Sequence, residues 1–199
     1  LACGARIDEI NTIRRNLDRV KGGGLARATK AQVISLILSD VIGNPLEAIA
    51  SGPTFPNPTT NADALKILMK YKIENQVSKS ILKTVESDNL LSDIQQRPVG
   101  VQNLIVGDNK LAAQAALEQA QHEAIHAEIL TNELQGEARE VGVMLATRLR
   151  VSTEKTTRPF CLSAGGETTV TIIGNGKGGR NQEVALAAVH ELRGLENVM

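Results

Sequence analysis

Ile7, Ile10, Ile13, Leu17 and Val20 recur at steps of three and four residues. That is the spacing of one helix face, so residues 6–20 are predicted to be helical. Asp8 and Glu9 suit the start, and Lys21 followed by Gly22, Gly23 and Gly24 suits the exit. Gln32 to Leu38 is a short aliphatic and β-branched run, predicted as a buried strand with Ser39-Asp40-Val41 at its carboxyl end. Open α/β sheets place ligands at such ends. From Gly43 to Pro58 no period is present, and Pro45, Pro53, Pro56 and Pro58 mark a long loop containing Ala50-Ser51-Gly52-Pro53-Thr54. Thr60 with Asp63 forms a capping pair for a helix over 61–71. Ile73, Val77, Ile81 and Val85 continue at helical spacing, and Glu86 to Pro98 is the candidate linker.

The pattern then alternates. Gln102–Val106 is predicted as a strand, Gly107-Asp108-Asn109 as a turn and cap, 110–124 as a helix, 127–130 as a strand and 136–150 as a helix. This order predicts an α/β fold of mainly parallel sheets with flanking helices, in Rossmann- or flavodoxin-like units joined by right-handed crossovers. Residues 1–97 form part of a first α/β domain and 98–199 a second. Near the C-terminus, Phe160–Ala164 and Thr168–Ile173, separated by Gly165-Gly166, are predicted to form a β-hairpin.

Composition narrows the partners. The 199 residues carry 22 lysines plus arginines and 22 aspartates plus glutamates, so no overall field favours nucleic acid or an anionic membrane. A small, locally recognised ligand fits better, and the sequence leaves a homo-oligomer open. The longest apolar run, Val33–Leu38, is interrupted by Ser35 and is too short to span a bilayer. Cys3 and Cys161 form no metal-binding spacing and are expected as packing residues in a cytoplasmic, reducing setting. His122, His126 and His190 have no paired nucleophile motif. Leu1 is not an initiator methionine, so a piece of a longer protein is expected.

The stretch Gly165 to Glu183 concentrates chemistry. It joins Glu167, a glycine loop, Arg180 and Asn181 just ahead of a helical segment. Glycines let backbone N–H groups approach an anion, and a helix start adds its positive dipole end. The competing interpretation is a surface hairpin with a solvated helix beyond it. Arg180 and Asn181 in the first turn favour function, because alanine or glutamate would serve a purely structural helix better. Gly174-x-Gly176-x-x-Gly179 has the form of a dinucleotide fingerprint, but a parallel βαβ unit would have to surround it. Lys177 is followed by glycine, which excludes a P-loop. Glu137 and Arg139 are two residues apart on a helix, share no face, and are left off the site.

Taken in order, Glu9-Ile10-Asn11-Thr12 with Arg14-Arg15, Val20-Lys21-Gly22-Gly23-Gly24-Leu25-Ala26, Leu38-Ser39-Asp40-Val41, Ala50-Ser51-Gly52-Pro53-Thr54, Gly136-Glu137-Ala138-Arg139-Glu140 and the Gly165–Glu183 block resemble the type 2 glycerate kinase family. These are enzymes with a MOFRL domain, some labelled hydroxypyruvate reductases. The resemblance implies ATP-dependent phosphorylation of D-glycerate, usually to 2-phosphoglycerate, with Mg2+, in a cleft between two α/β domains. Residues 1–97 would then belong to the family's N-terminal region and 98–199 would include the start of the MOFRL domain. Lys21, Asp40, Ser51 and Gly52 would be cleft residues of the first domain, faced by Glu167, Arg180, Asn181 and Glu183. The family also has a catalytic lysine in an N-terminal glycine-rich segment and an Asp-Gly-x-Asp-Gly motif, neither of which this chain contains.

Phosphoryl transfer needs positioning and charge neutralisation. Arg180 and Lys21 are the candidate clamps for the carboxylate or the travelling phosphoryl group. Asp40 is a candidate general base or magnesium ligand. Glu167 and Asn181 would orient the substrate hydroxyls, with Ser51, Gly52 and Glu183 as further substrate contacts. Gly176, Gly178 and Gly179 would supply amides to an anion. The alternatives are an NAD(P)H-dependent hydroxypyruvate reductase and a non-catalytic metabolite-binding module.

Overall fold

The computed structural model describes residues 3–87 and 100–198, and the chain divides into two compact units, Leu1–Gly107 and Asp108–Met199. The predicted linker therefore lies, from residue 88 onward, outside the described residues. The first unit contains α1 (Ile7–Leu17), α2 (Gly24–Arg27), β1 (Val33–Leu38), α3 (Asn61–Lys70), α4 (Lys79–Glu86) and β2 (Val101–Gly107). The second contains α5 (Asn109–His122), β3 (His126–Leu134), α6 (Ala138–Lys155), β4 (Phe160–Gly166) and α7 (Arg180–Leu192).

In the first unit the apolar stripe of α1 packs on α3 and α4. Ala64, Leu68 and Val85 are buried there, with Ile13, Leu17, Leu65, Ile73, Val77 and Leu82 around them. The helix ends at Leu17 because the Asp18 carboxylate accepts from the N–H groups of Val20 (2.7 Å) and Lys21 (3.3 Å), a local turn that competes with a further helical turn. The predicted capping pair forms: Asp63 N donates to Thr60 Oγ1 at 3.2 Å and Thr60 N to Asp63 Oδ2 at 3.0 Å. Residues 73–77 are turns and not the predicted helix, and α4 begins only after Ser78, whose hydroxyl accepts from Ile81 N. Ile73 and Val77 reach the core all the same.

β2 pairs in parallel with β1, from Val33 opposite Val101 to Leu38 opposite Gly107. This strand, expected to open the second domain, thus belongs to the first unit. Their side chains alternate: Val33, Ser35 and Ile37 are half-buried, whereas Ile34, Leu36 and Leu38 are exposed beside Leu104 and Val106.

In the second unit β3 and β4 are also parallel, beginning with His126 opposite Phe160. The predicted hairpin is not present. Gly166 (φ +154) carries the chain sideways, and Glu167 N donates to Leu134 O at 2.8 Å. Thr169 then makes an isolated parallel bridge with Glu137, its N–H bonded to Gly136 O at 2.9 Å. The segment after β4 follows the end of β3 instead of returning along β4, because β3 offers its last free backbone groups there. Cys3 and Cys161, expected as packing residues, are free and exposed. No helix among the described residues is long and apolar enough to cross a membrane.

Glu9 ties α1 to the end of α3. Its carboxylate accepts from Lys70 Nζ (2.6 Å), Tyr71 OH (2.6 Å) and Arg6 N (2.9 Å). These bonds, Lys70 foremost, hold its pKa down at about 2. A carboxylate lowered in the folded state stabilises above its unfolded pKa and loses that contribution as pH falls through the folded value. The thermal midpoint should therefore fall between about pH 4.5 and about 2, and Glu9→Gln should flatten that part of the profile in pH-resolved calorimetry. An unchanged profile would show that the cluster adds nothing to stability.

Candidate phosphate-binding elements

In the first unit two glycine-bearing motifs that lie far apart in sequence dock by their backbones. Gly22 N donates to Ser51 O at 3.0 Å and Gly23 N to Gly52 O at 2.7 Å. Gly22 and Gly23 both have positive φ (58° and 83°), and a Cβ on Gly22 would come within 2.8 Å of Asn57 Cβ. Their glycines are therefore required by conformation and close approach. With these amides spent inside the protein, the Gly22–Gly24 run is a docking element and not an open anion cradle. Lys21 points to Asp18, Nζ to Oδ2 2.6 Å, with 30% of its side chain exposed. That cation, with two N–H donors, holds the Asp18 carboxyl below the usual range.

Opposite the glycines, Ala50, Ser51 and Gly52 are left-handed in succession (φ 50°, 62° and 64°). Two of the three carry side chains, a conformation that persists only where the surroundings over-determine it. The surroundings are a buried polar network. Arg15 is 6% exposed; its guanidinium donates to Asn57 Oδ1 (3.1 Å), Glu47 O (2.9 Å) and Thr12 Oγ1 (3.3 Å). Ser51 Oγ donates to Asn11 Oδ1 at 3.2 Å, and Asn57 Nδ2 to Asn16 Oδ1 at 3.2 Å. Thr54 Oγ1 donates to Asn103 Oδ1 at 2.5 Å, tying the loop to β2. Desolvation lowers the Arg15 pKa, with Glu47 opposing it. Asp40 is exposed at the carboxyl end of β1 and makes no hydrogen bond among the described residues. Nor do the described contacts join it to Lys21 or Ser51.

In the second unit α6 and α7 pack side by side in the same direction. Arg139 near the start of α6 donates to Glu183 near the start of α7 at 3.1 Å. Gly142 lies against α7, where a Cβ would come within 2.8 Å of Ala187 Cβ. Further along, Arg150 donates to the carbonyls of Glu191 and Arg193, a cation on the α7 C-terminus. Both N-termini consequently lie at one end, the end to which parallel β3 and β4 lead. Glu137, at the cap of α6, accepts from Thr171 N at 2.9 Å and Oγ1 at 3.3 Å.

Arg180 is the first residue of α7. Its guanidinium is paired with the Glu167 carboxylate and also approaches Thr168 O at 3.4 Å. Both side chains are about half exposed, 52% and 56%. Gly179 offers no side-chain cap, so the first N–H groups of α7 have no acceptor among the described residues. Gly174, Gly176 and Gly179 have open space where a Cβ would stand, and none of the loop glycines has positive φ. Here glycine provides bare backbone and no special conformation. Asn181 is exposed and makes no side-chain bond among the described residues.

The sequence-derived residues therefore fall into two groups. Glu167, Arg180, Asn181, Gly176, Gly178 and Gly179 gather around the α7 N-terminus; Glu183 is there too, its carboxylate held by Arg139. Lys21, Ser51 and Gly52 gather around the docked loops of the first unit. Residues missed by sequence reasoning are Arg15, Asn57 and Asn103, together with Arg139, which was set aside. Asn11, Thr12, Arg15 and Asn16 are all buried, and their helical spacing is a polar stripe that could have marked a second contact face. No group of three or more His, Cys, Asp or Glu side chains among the described residues is placed to hold a metal ion. Among the described residues no strand leads directly into Gly174, since β4 ends at Gly166 and only an isolated bridge at Thr169 follows, so the glycine fingerprint lacks its βαβ setting.

The sequence matches a family described as a domain of unknown function (DUF4147) over residues 1–86 and the MOFRL family over residues 160–199. It is 41% identical over 204 residues to glycerate 2-kinase of Pyrococcus horikoshii, covering 98% of this chain and 46% of that protein. It is 40% identical over 206 residues to D-glycerate 2-kinase of Thermotoga maritima, covering 100% of this chain and 47% of that protein. A crystal structure of glycerate kinase from Thermotoga maritima superposes with a TM-score of 0.80 at 40% identity, over 98% of this chain and 46% of that chain. The chain thus spans about half the length of the curated relatives it matches.

Replacing Arg15 by alanine should leave Glu47 O without its donor, while Asn57 Oδ1 keeps the Thr59 N–H and hydroxyl. The expected loss is on the order of 1–3 kcal/mol in urea unfolding, from one unpaired acceptor and lost packing. A loss below about 0.5 kcal/mol, the range of ordinary surface substitutions, would mean that the network does not hold the loop.

Proposed function

The chain belongs to the family of the glycerate kinases that it matches, and on that premise we propose that the protein carrying it transfers the γ-phosphoryl group of ATP to D-glycerate, giving 2-phosphoglycerate. The observation that carries this reading is the α7 N-terminus. An uncapped helix start, an open glycine loop and a half-exposed arginine converge at the carboxyl end of a parallel sheet. Phosphate groups are bound by such combinations of backbone N–H groups, dipole and guanidinium.

In the reaction a glycerate hydroxyl oxygen bonds to the γ-phosphorus, the bond to the ADP oxygen breaks with its electron pair, and the hydroxyl proton leaves to a base. Arg180 grips the phosphoryl oxygens in bidentate fashion, and the amides of Gly176, Gly178 and Gly179 donate to phosphate. Glu167 holds the guanidinium plane when no ligand is bound, and with Asn181 orients the substrate hydroxyls. In the first unit Lys21 adds positive charge, and Ser51 and Gly52 shape a substrate contact. Asp40 supplies a carboxylate for one of two tasks, taking the proton or holding Mg2+. Magnesium is commonly held by one or two carboxylates with phosphate oxygens, so a single exposed aspartate fits it, and the ion would supply charge neutralisation. Two free, exposed thiols suit a reducing compartment such as the cytoplasm.

Phosphorus NMR of ATP, Mg2+ and D-glycerate with the protein that carries this chain should show ADP and 2-phosphoglycerate appearing together. A folded protein that yields no phosphoglycerate would refute the reading. Arg180→Ala should lower turnover by about 10²–10³, the usual cost of removing a transition-state donor, with no change in thermal midpoint. Near-normal turnover would remove Arg180 from the site.

A further inference from the structure

β3 and β4 fall out of register twice, between Ile129 and Thr131 and between Thr131 and Leu134. In the second slip Asn132 has no partner on β4. Its backbone carbonyl is bonded instead by Nδ2 of Asn109, the first residue of α5, at 2.7 Å. The Asn109 carboxamide lies over Gly165, where a Cβ would come within 2.5 Å of Nδ2. Asn132 Oδ1 is itself buried without a partner, so the slip already carries one orphaned acceptor, and losing the Asn109 amide would leave a second. The next residue of β4, Gly166, lies against Leu134, and Glu167 N is bonded to Leu134 O at 2.8 Å. Glu167 then meets Arg180.

We propose that Asn109 is a positioning residue for the Glu167–Arg180 pair, its side-chain amide replacing the ladder bond that the register slip removes. It joins the start of α5, the slip in β3 and the end of β4 at one point. The direction in which Glu167 leaves the sheet, and with it the seat of Arg180, depends on that junction. No other side chain among the described residues bonds to the Asn132 carbonyl. The inference rests on the reading of Arg180 as a phosphate-binding group, and its test separates the two.

Gly165→Ala should collide with the Asn109 carboxamide and lower the thermal midpoint, and adding Asn109→Ala should remove the collision and recover part of the loss, the Asn132 carbonyl then lacking its donor. The refolded double variant is then read in two ways. The Arg180 Nε–H resonance should move towards that of a solvent-exposed arginine, and affinity for inorganic tripolyphosphate should fall about tenfold, the scale of one misplaced charge-assisted hydrogen bond. Wild-type values for both would reduce Asn109 to a packing residue and overturn the proposal. Asn109→Asp, which keeps the shape and removes the donor, carries the same two readings if the double variant does not fold. Should the wild-type chain bind neither tripolyphosphate nor ATP, the phosphate reading of Arg180 falls, while the Arg180 resonance still decides the positioning role.

Discussion

A strand that pairs in parallel with another must be reached by a crossover, so the strands of a parallel sheet end on the same edge. Both strand pairs among the described residues are parallel, and the placement of the candidate chemistry depends on that. In the second unit the crossover helix α6 starts where β3 ends. Because α7 packs on α6 in the same direction, its N-terminus comes to the same edge, with Arg180 in its first turn. An antiparallel hairpin at residues 160–173, as the sequence suggested, would have carried the glycine loop back to the opposite edge. The sideways exit at Gly166 keeps it beside the helix starts.

Much of this was legible because it is locally encoded. The α1 stripe, the β1 run, the Thr60 and Asp63 cap and the strand–helix alternation from residue 102 onward each follow from spacing within a few residues. What was not legible depends on partners far along the chain. Gly165-Gly166 has the form of a hairpin turn; only the free backbone of Leu134 and Gly136 decides that the chain moves sideways. Ile73 and Val77 have helical spacing, yet a turn delivers them to the same core. Glu137 and Arg139 do not share a face, as their spacing dictates, but each finds a partner on the later segment, Thr171 and Glu183. The glycines at residues 22–24 suggested a helix exit, and only the approach of Gly22 to Asn57 and of Gly24 to the Arg19 backbone shows why bulkier residues would not fit.

That loop illustrates what buried polarity does. An arginine taken out of water with no carboxylate hydrogen-bonded to it is costly unless its donors are satisfied. Arg15 meets the condition with side-chain and backbone oxygens from α1 and the loop. Because the Glu47 carbonyl depends on Arg15, and Asn57 Oδ1 is shared between Arg15 and Thr59, the network penalises any other loop path. Consecutive left-handed residues at Ala50 and Ser51 can then persist, since relaxing them would break bonds that have no water to replace them. Specificity of conformation, more than net stability, is what such a network contributes.

The pair Glu167–Arg180 is built on the opposite logic. Both side chains are half exposed, and an ion pair at such exposure is worth roughly 0–1 kcal/mol. Little is lost when a phosphate competes for the guanidinium. A di- or trianionic group would also meet the unclaimed amides of the α7 start, which the Glu167 carboxylate does not reach. Arg15 could not serve in this way, because withdrawing its partners would open the fold. The same residue type is thus a structural fastener where it is buried among neutral acceptors, and a ligand-ready cation where solvent keeps its partner exchangeable. What separates the two is burial, which neither the residue's identity nor its position in a motif reveals.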